Sequence, residues 1–139
     1  MSYLVDTNVI SELRKAEHCD RRVAAWFGNI ASEDLFLSVL TIGELRRGID
    51  SLARRDRQGA ATLNRWLHKV VEGFGRRIVP IDRAVAEEWG RINVPRTLPA
   101  IDGLLAATAN VHGLTLVTRN TRHVAGTGVA CINPFASAL

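Results

Sequence analysis

The chain has only two cysteines in 139 residues. Cys19 and Cys131 lie far apart in sequence, and nothing in a reducing cytosol calls for a bridge between them. No pair of cysteines or histidines has zinc-ligand spacing, and His18, His68, His112 and His123 are scattered. No apolar run approaches the ~20 residues that a membrane helix needs. No basic segment precedes an apolar stretch at the N-terminus, so a signal peptide is not expected and the cytoplasm is the expected location. Internal repeats, low-complexity tracts and linkers are also missing. Lysine is nearly absent: all of the 18 basic residues except Lys15 and Lys69 are arginine.

What is present is a chain of one-domain length, 47% hydrophobic, long enough to bury a real core. The formal net charge is +4. Arginine's planar fork suits phosphate oxygens and carboxylates better than an ammonium does. The charge fits either a plain basic surface or a polyanionic or acidic partner.

Tyr3-Leu4-Val5 reads as a strand that runs straight into Asp6, Thr7 and Asn8. A short helix follows to about Arg14, carrying Val9, Ile10 and Leu13. Asp20 is placed to cap a helix over residues 21–30, with Val23, Trp26, Phe27 and Ile30 inward. Leu35 to Ser38 is a second strand. Thr41 with Glu44 three residues on makes a capping-box pattern for the next helix. Leu45, Ile49 and Leu52 mark its apolar face. Arg46, Arg47, Arg54, Arg55 and Arg57 make its other surfaces basic. A second helix to Glu72, with Leu63, Trp66, Leu67, Val70 and Val71 inward, completes a hairpin over about 40–73, broken near 57–59. Residues 77–81 read as a third strand. Asp82 caps a helix to about Asn93, with Val85, Trp89 and Ile92 inward. Pro99 suits the first position of a helix over 100–111, rich in small residues and ended by Gly113. Residues 114–117 form a fourth strand, and a short last strand falls within 129–132. The three tryptophans read as core or interface rather than base-stacking platforms. Strands alternating with helices predict an α/β fold: one domain over 1–139, with a four- to five-stranded, mostly parallel sheet flanked by helices.

The acids fall where such a fold does chemistry. Asp6 ends the first strand, Glu44 is read in the first turn of the helix after the second, and Asp102 in the first turn of the small-residue helix. Asn120 follows the fourth strand. In a parallel sheet these points share one edge. Three convergent carboxylates repel one another unless a hard cation makes them ligands. Such a site suits phosphodiester hydrolysis. Each acid alone also has a simple structural role, favouring a helix N-terminus or a turn.

Asp6-Thr7-Asn8, Gly43-Glu44-Leu45, the run from Asp102 to Ala109 and Thr118-Arg119-Asn120 occur in the order found in PIN-domain ribonucleases. The chain most resembles the VapC- and FitB-type toxins of bacterial toxin–antitoxin pairs, including their Asn133-Pro134-Phe135 ending. The resemblance implies an endoribonuclease dependent on Mg²⁺ or Mn²⁺. It carries over Asp6, Glu44 and Asp102 as catalytic and metal-holding acids. Thr7, Asn8 and Thr118 become supporting residues. It implies a homodimer and an antitoxin whose tail lies across the toxin and whose other end binds operator DNA, with no membrane involved. At the fourth acidic position this chain has Asn120, and His123 three residues on; either could hold a metal water, which favours one metal over two. Arg46, Arg47, Arg54 and Arg119 are candidate contacts for RNA or partner.

Two readings therefore stand. One is a metal-dependent RNA-cleaving toxin; the other is a PIN-like module that binds RNA or its antitoxin without efficient cleavage. A phosphatase using Asp6 as nucleophile fits less well, because Asn8 stands where such enzymes place a second Asp and no lysine is suitably placed.

Overall fold

A computed structural model describes residues 1–94 and 96–136. Among the described residues five short strands form one sheet: β1 (Tyr3–Val5), β2 (Leu35–Ser38), β3 (Ile78–Val79), β4 (Thr115–Val117) and β5 (Cys131–Ile132). Their order is β3-β2-β1-β4-β5, and every pairing is parallel. The described α-helices that surround it are α1 (Thr7–Leu13), α2 (Arg21–Gly28), α3 (Val39–Ala53), α4 (Arg57–Phe74), α5 (Arg83–Ile92) and α6 (Ala100–His112). Among the described residues no helix is long and apolar enough to cross a membrane.

Side-chain alternation along the strands sorts the core into two layers. Leu4 and Leu116 point to one face, where they meet Val85 and Ile92 of α5 and Leu105 and Ala109 of α6. Val5 and Val117 point to the other, against Val9 of α1, Val23 of α2, Leu45 of α3 and Leu67 of α4. Both faces are covered, as a parallel sheet requires. The small residues of α6 are what allow it to sit close: Ala106, Ala107 and Ala109 are fully buried.

The chain lays β2 and β3 on one side of β1, then crosses back to place β4 and β5 on the other. The reversal lies between β1 and β4. In open α/β sheets the crevice at the carboxyl ends of the strands flanking such a reversal is where ligands bind. Asp6 and Thr118 are the residues that follow those two strands.

Several local expectations are corrected. Thr41 does not cap α3: Ser38 does, accepting from the Leu40 N–H at 3.0 Å, and the helix begins at Val39 directly from β2. Glu44 is therefore in the second turn of α3. The hairpin breaks at residues 54–56, where Asp56 caps α4 by accepting from the Gly59 N–H at 2.9 Å. The third strand is two residues long, because Pro80 has no N–H to continue the ladder. Pro99 is the N-cap of α6 rather than its first residue. Trp26 and Trp66 pack on the core as expected, but Trp89 is 38% exposed. The Asp20 and Asp82 caps are as read, and Gly113 ends α6 at φ +66°, a conformation suited to glycine.

Candidate active site at the sheet reversal

Asp6 sits at the centre of the crevice and is only 5% exposed. Its backbone continues the β1–β4 ladder, donating from N–H to the Val117 carbonyl at 2.9 Å. Its side chain is the N-cap of α1, with Oδ1 accepting from the Thr7 N–H at 2.7 Å. Oδ2 accepts from the Thr118 hydroxyl at 2.6 Å and from the Asn8 amide at 3.4 Å. A buried carboxylate without such donors would be costly. Burial raises the Asp6 pKa above the ordinary aspartate value. The Thr118 and Thr7 hydrogen bonds oppose that rise, and the negative charges of Asp102 and Glu44 add to it.

Thr7 ties a second acid to the first. Its N–H serves Asp6, while its hydroxyl donates to Glu44 Oε1 at 2.6 Å and lies 3.3 Å from the hydroxyl of Thr41. Thr41 is fully buried. It is a member of the site that the sequence did not single out for this role, since its pairing with Thr7 depends on how α1 meets α3.

Asp102 enters from the other side of the reversal, in the first turn of α6. Its Oδ2 lies 2.7 Å from Nδ1 of His123, so the histidine three residues after Asn120 is held against an acid of the site. Thr118 also accepts from the Asn120 N–H at 3.0 Å, and the Asn120 carbonyl accepts from the His123 N–H at 3.0 Å. Asn8 Oδ1 accepts from the Arg119 N–H at 3.3 Å. Asp6, Thr7, Asn8, Glu44, Thr118 and Asn120 thus share one hydrogen-bonded network. Asp102 joins it through His123, whose N–H is bonded to the Asn120 carbonyl, and the negative charge of Asp102 is felt at Asp6.

The three acids share an edge but not a ready-made cage. Among the described residues no three His, Cys, Asp or Glu side chains are grouped closely enough to hold a metal ion directly. Electrostatic influence reaches further than ligation, which reconciles this with the effect of Asp102 and Glu44 on Asp6. The donor set is all oxygen, as Mg²⁺ and Mn²⁺ prefer, and Mg²⁺ commonly keeps waters between itself and its carboxylates. The residues fit such an ion in kind.

The candidate contact arginines divide. Arg46 and Arg47 lie on the exposed side of α3, and Arg54, also exposed, is its C-cap. Arg46 donates to Asn64 at 2.7 Å and to Asp50 at 3.3 Å. With Arg54 and Arg57 it lines an open hollow of about 540 Å³ between α3 and α4, which contains none of the three acids. A second groove, about 340 Å³, includes one of the acids: Thr7 and Glu44 line it together with Leu45, Leu52, Leu63 and Trp66, between α1, α3 and α4. Arg119 is apart from both and flanks the acid crevice. Neither the groove nor the Thr7–Glu44 link has a signature in local sequence, because each joins elements distant in the chain.

Known proteins resemble the chain over nearly its whole length. Residues 3–126 match the model of the PIN domain. The chain is 35% identical to toxin FitB of Neisseria gonorrhoeae, over 95% of this chain and 97% of that one. It is 34% identical to VapC ribonuclease Y4jK of Sinorhizobium fredii, over 97% and 99%. Among solved structures, FitAcB from Neisseria gonorrhoeae superposes with a TM-score of 0.88 at 35% identity, covering 96% of this chain and 98% of that chain. FitAB bound to an IR36 DNA fragment gives 0.87 at 32% identity, over 99% and 98%.

Proposed function

The chain belongs to the PIN domain family, and from that premise we propose that it is a metal-dependent endoribonuclease acting as the toxin of a toxin–antitoxin pair. The observation that carries the reading is Asp6: a carboxylate buried at the sheet reversal, braced by two threonines and repelled by two further acids. A protein gains no stability from gathering like charges there, whereas a cation-dependent site requires them. The names of its relatives, a toxin and a VapC ribonuclease, point the same way.

Asp6, Glu44 and Asp102 are the residues that would hold one Mg²⁺ or Mn²⁺. When bound, such an ion neutralises phosphate charge and lowers the pKa of a water for attack on phosphorus. The chain's own residues set the stage for it. Thr118 and the Thr7 N–H fix the orientation of Asp6, and the Thr7 hydroxyl fixes Glu44 relative to it. His123 fixes Asp102. Asn120 and His123 support this single site and do not build a second. The exposed arginines Arg46, Arg47 and Arg54 serve as a surface for RNA or an acidic partner segment.

The antitoxin is proposed to lay an extended segment along the groove that Thr7 and Glu44 help to line. FitAB, a relative, is found bound to DNA; by extension this chain joins a repressor complex through its antitoxin, as a homodimer. The second reading, a PIN module that binds without efficient cleavage, draws on the Asp102–His123 contact, which occupies one oxygen of an acid the reaction needs.

The test is to purify the protein free of partner and incubate it with structured RNAs in Mg²⁺, in Mn²⁺ and in chelator. Cleavage that needs metal and is lost in Asp6→Asn is the expected result. RNA binding without cleavage in any metal would replace the first reading by the second.

A further inference from the structure

Among the described residues the Arg119 guanidinium is held on a ring and by no hydrogen-bond partner. Arg22, Arg46 and Arg91 are engaged with acids, Arg96 with a backbone carbonyl, and Arg77, whose guanidinium carbon is 5.0 Å from the Phe74 ring centroid, also with three backbone carbonyls. The Arg119 guanidinium instead lies over the ring of Phe135, with its central carbon 3.7 Å from the ring centroid. The ring is a firm base, since Phe135 is buried and its N–H is held by the Asn133 side chain at 2.9 Å. Among the described residues the guanidinium makes no ion pair. Stacking occupies the face of a guanidinium and leaves the N–H donors at its edge free for bidentate bonds.

The location gives those donors a purpose. The preceding residue, Thr118, donates to Asp6, and the N–H of Arg119 itself is bonded to Asn8, which also contacts Asp6. The root of Arg119 is thereby fixed in the wall of the acid crevice. Its head is turned onto Phe135 rather than folded onto Asp6, Glu44 or Asp102, where attraction would draw a free arginine. A crevice of three acids repels a polyanion, and a cation rooted in its wall and free of ion pairs among the described residues offsets that repulsion for an arriving phosphate.

We propose that Arg119, stacked on Phe135, is a substrate-binding residue that grips an RNA phosphate next to the one being cleaved. The C-terminal Asn133-Pro134-Phe135 segment is then part of the substrate site, as the platform for that grip. This rests on the ribonuclease reading and adds to it where the backbone enters. An acidic group of a protein partner would fit the same fork; RNA is favoured because the backbone that carries the fork is bonded to Asn8, which contacts Asp6, and the partner is an outcome of the test.

The experiment compares wild type with Arg119→Ala, Arg119→Lys, Phe135→Leu and the control Arg76→Ala, which removes an exposed arginine from the opposite, N-terminal edge of the sheet. Affinity for a fluorescein-labelled single-stranded RNA of mixed sequence is read by anisotropy in chelator over a range of salt, and cleavage kinetics are read in Mg²⁺. Arg119→Ala is expected to weaken RNA binding and raise KM about tenfold, with kcat changed far less. Its salt slope should fall by about 0.7, the share of one phosphate on a single strand. Arg119→Lys keeps the charge but not the fork, and Phe135→Leu keeps the arginine but not its platform; each should lose about threefold. Arg76→Ala should match wild type.

An Arg119→Ala protein with wild-type affinity, KM and salt slope overturns the proposal while leaving the nuclease reading intact. So does an Arg119→Ala protein that loses only its affinity for the antitoxin. A wild-type protein that neither binds nor cleaves RNA overturns both.

Discussion

Thr118→Val changes one hydroxyl to a methyl at a site that is 1% exposed, with almost no change of volume. The hydroxyl donates to Asp6 Oδ2 at 2.6 Å and accepts from the Asn120 N–H at 3.0 Å. A hydrogen bond to a charged group contributes about 1.5–3 kcal/mol, and here its loss leaves a buried carboxylate short of a donor. The Asn120 N–H is at the crevice edge and can turn to water. We therefore expect a loss of about 2–3 kcal/mol, which for a chain of this length lowers Tm by about 6–12 °C. The assay is thermal unfolding in chelator at mildly alkaline pH, where Asp6 is ionised. Thr118→Ser keeps the hydroxyl and loses only a methyl, about 0.5–1.5 kcal/mol, so it should melt above Thr118→Val. In an Asp6→Asn background the partner is neutral and the Thr118→Val cost should shrink by at least about 1 kcal/mol. A Thr118→Val protein that melts with wild type, or below which Thr118→Ser falls, would show that Asp6 does not depend on this donor.

Three other outcomes are expected. Asp20 caps α2 and pairs with Arg22 at 2.9 Å; the Arg22 hydrogen bond is the main cause that brings its pKa down to about 2. A carboxylate with a depressed folded pKa adds stability above its unfolded value and loses it as pH falls through the folded one. Wild type should thus out-melt Asp20→Asn at neutral pH, and the gap should close between pH 3.8 and about 2; a gap that does not change with pH would contradict this. Gly113→Ala forces a side chain into φ +66° and should cost about 1–2 kcal/mol in urea unfolding. His123→Asp replaces the partner of Asp102 with a like charge, so the metal-free protein should melt lower. Its response to a fixed, saturating Mg²⁺ concentration should grow, by about 1.4 kcal/mol for each tenfold fall in Kd; an unchanged response would mean that His123 does not adjoin the metal site.

The elements were legible where pattern and punctuation agree. Asp20 and Asp82 precede apolar stretches at helical spacing, Gly113 follows one, and Asp6 at the end of a strand and Asp102 at the start of a helix point to one sheet edge. Asp6 and Asp102 could be placed from that alone. Glu44 shows where local reading fails. Ser38 and Thr41 are both good caps, and only the absence of a loop between β2 and α3 decides for Ser38. Contacts across the fold had no local mark at all. Thr7 and Glu44 are 37 residues apart, Asp102 and His123 are 21 apart, and Arg119 meets Phe135 only because β5 brings the chain back beside β4.

The central claim is that Asp6, Glu44 and Asp102 act together on one divalent ion. Calorimetric titration of the partner-free protein with Mn²⁺ tests it most directly, on wild type and on Asp6→Asn, Glu44→Gln and Asp102→Asn, with Tm recorded to verify folding. The expected result is one Mn²⁺ per wild-type chain and a Kd weakened about tenfold or more in each variant, the loss of one charged ligand interaction. Wild-type affinity in all three folded variants, or a wild-type protein that binds no Mn²⁺, would contradict it.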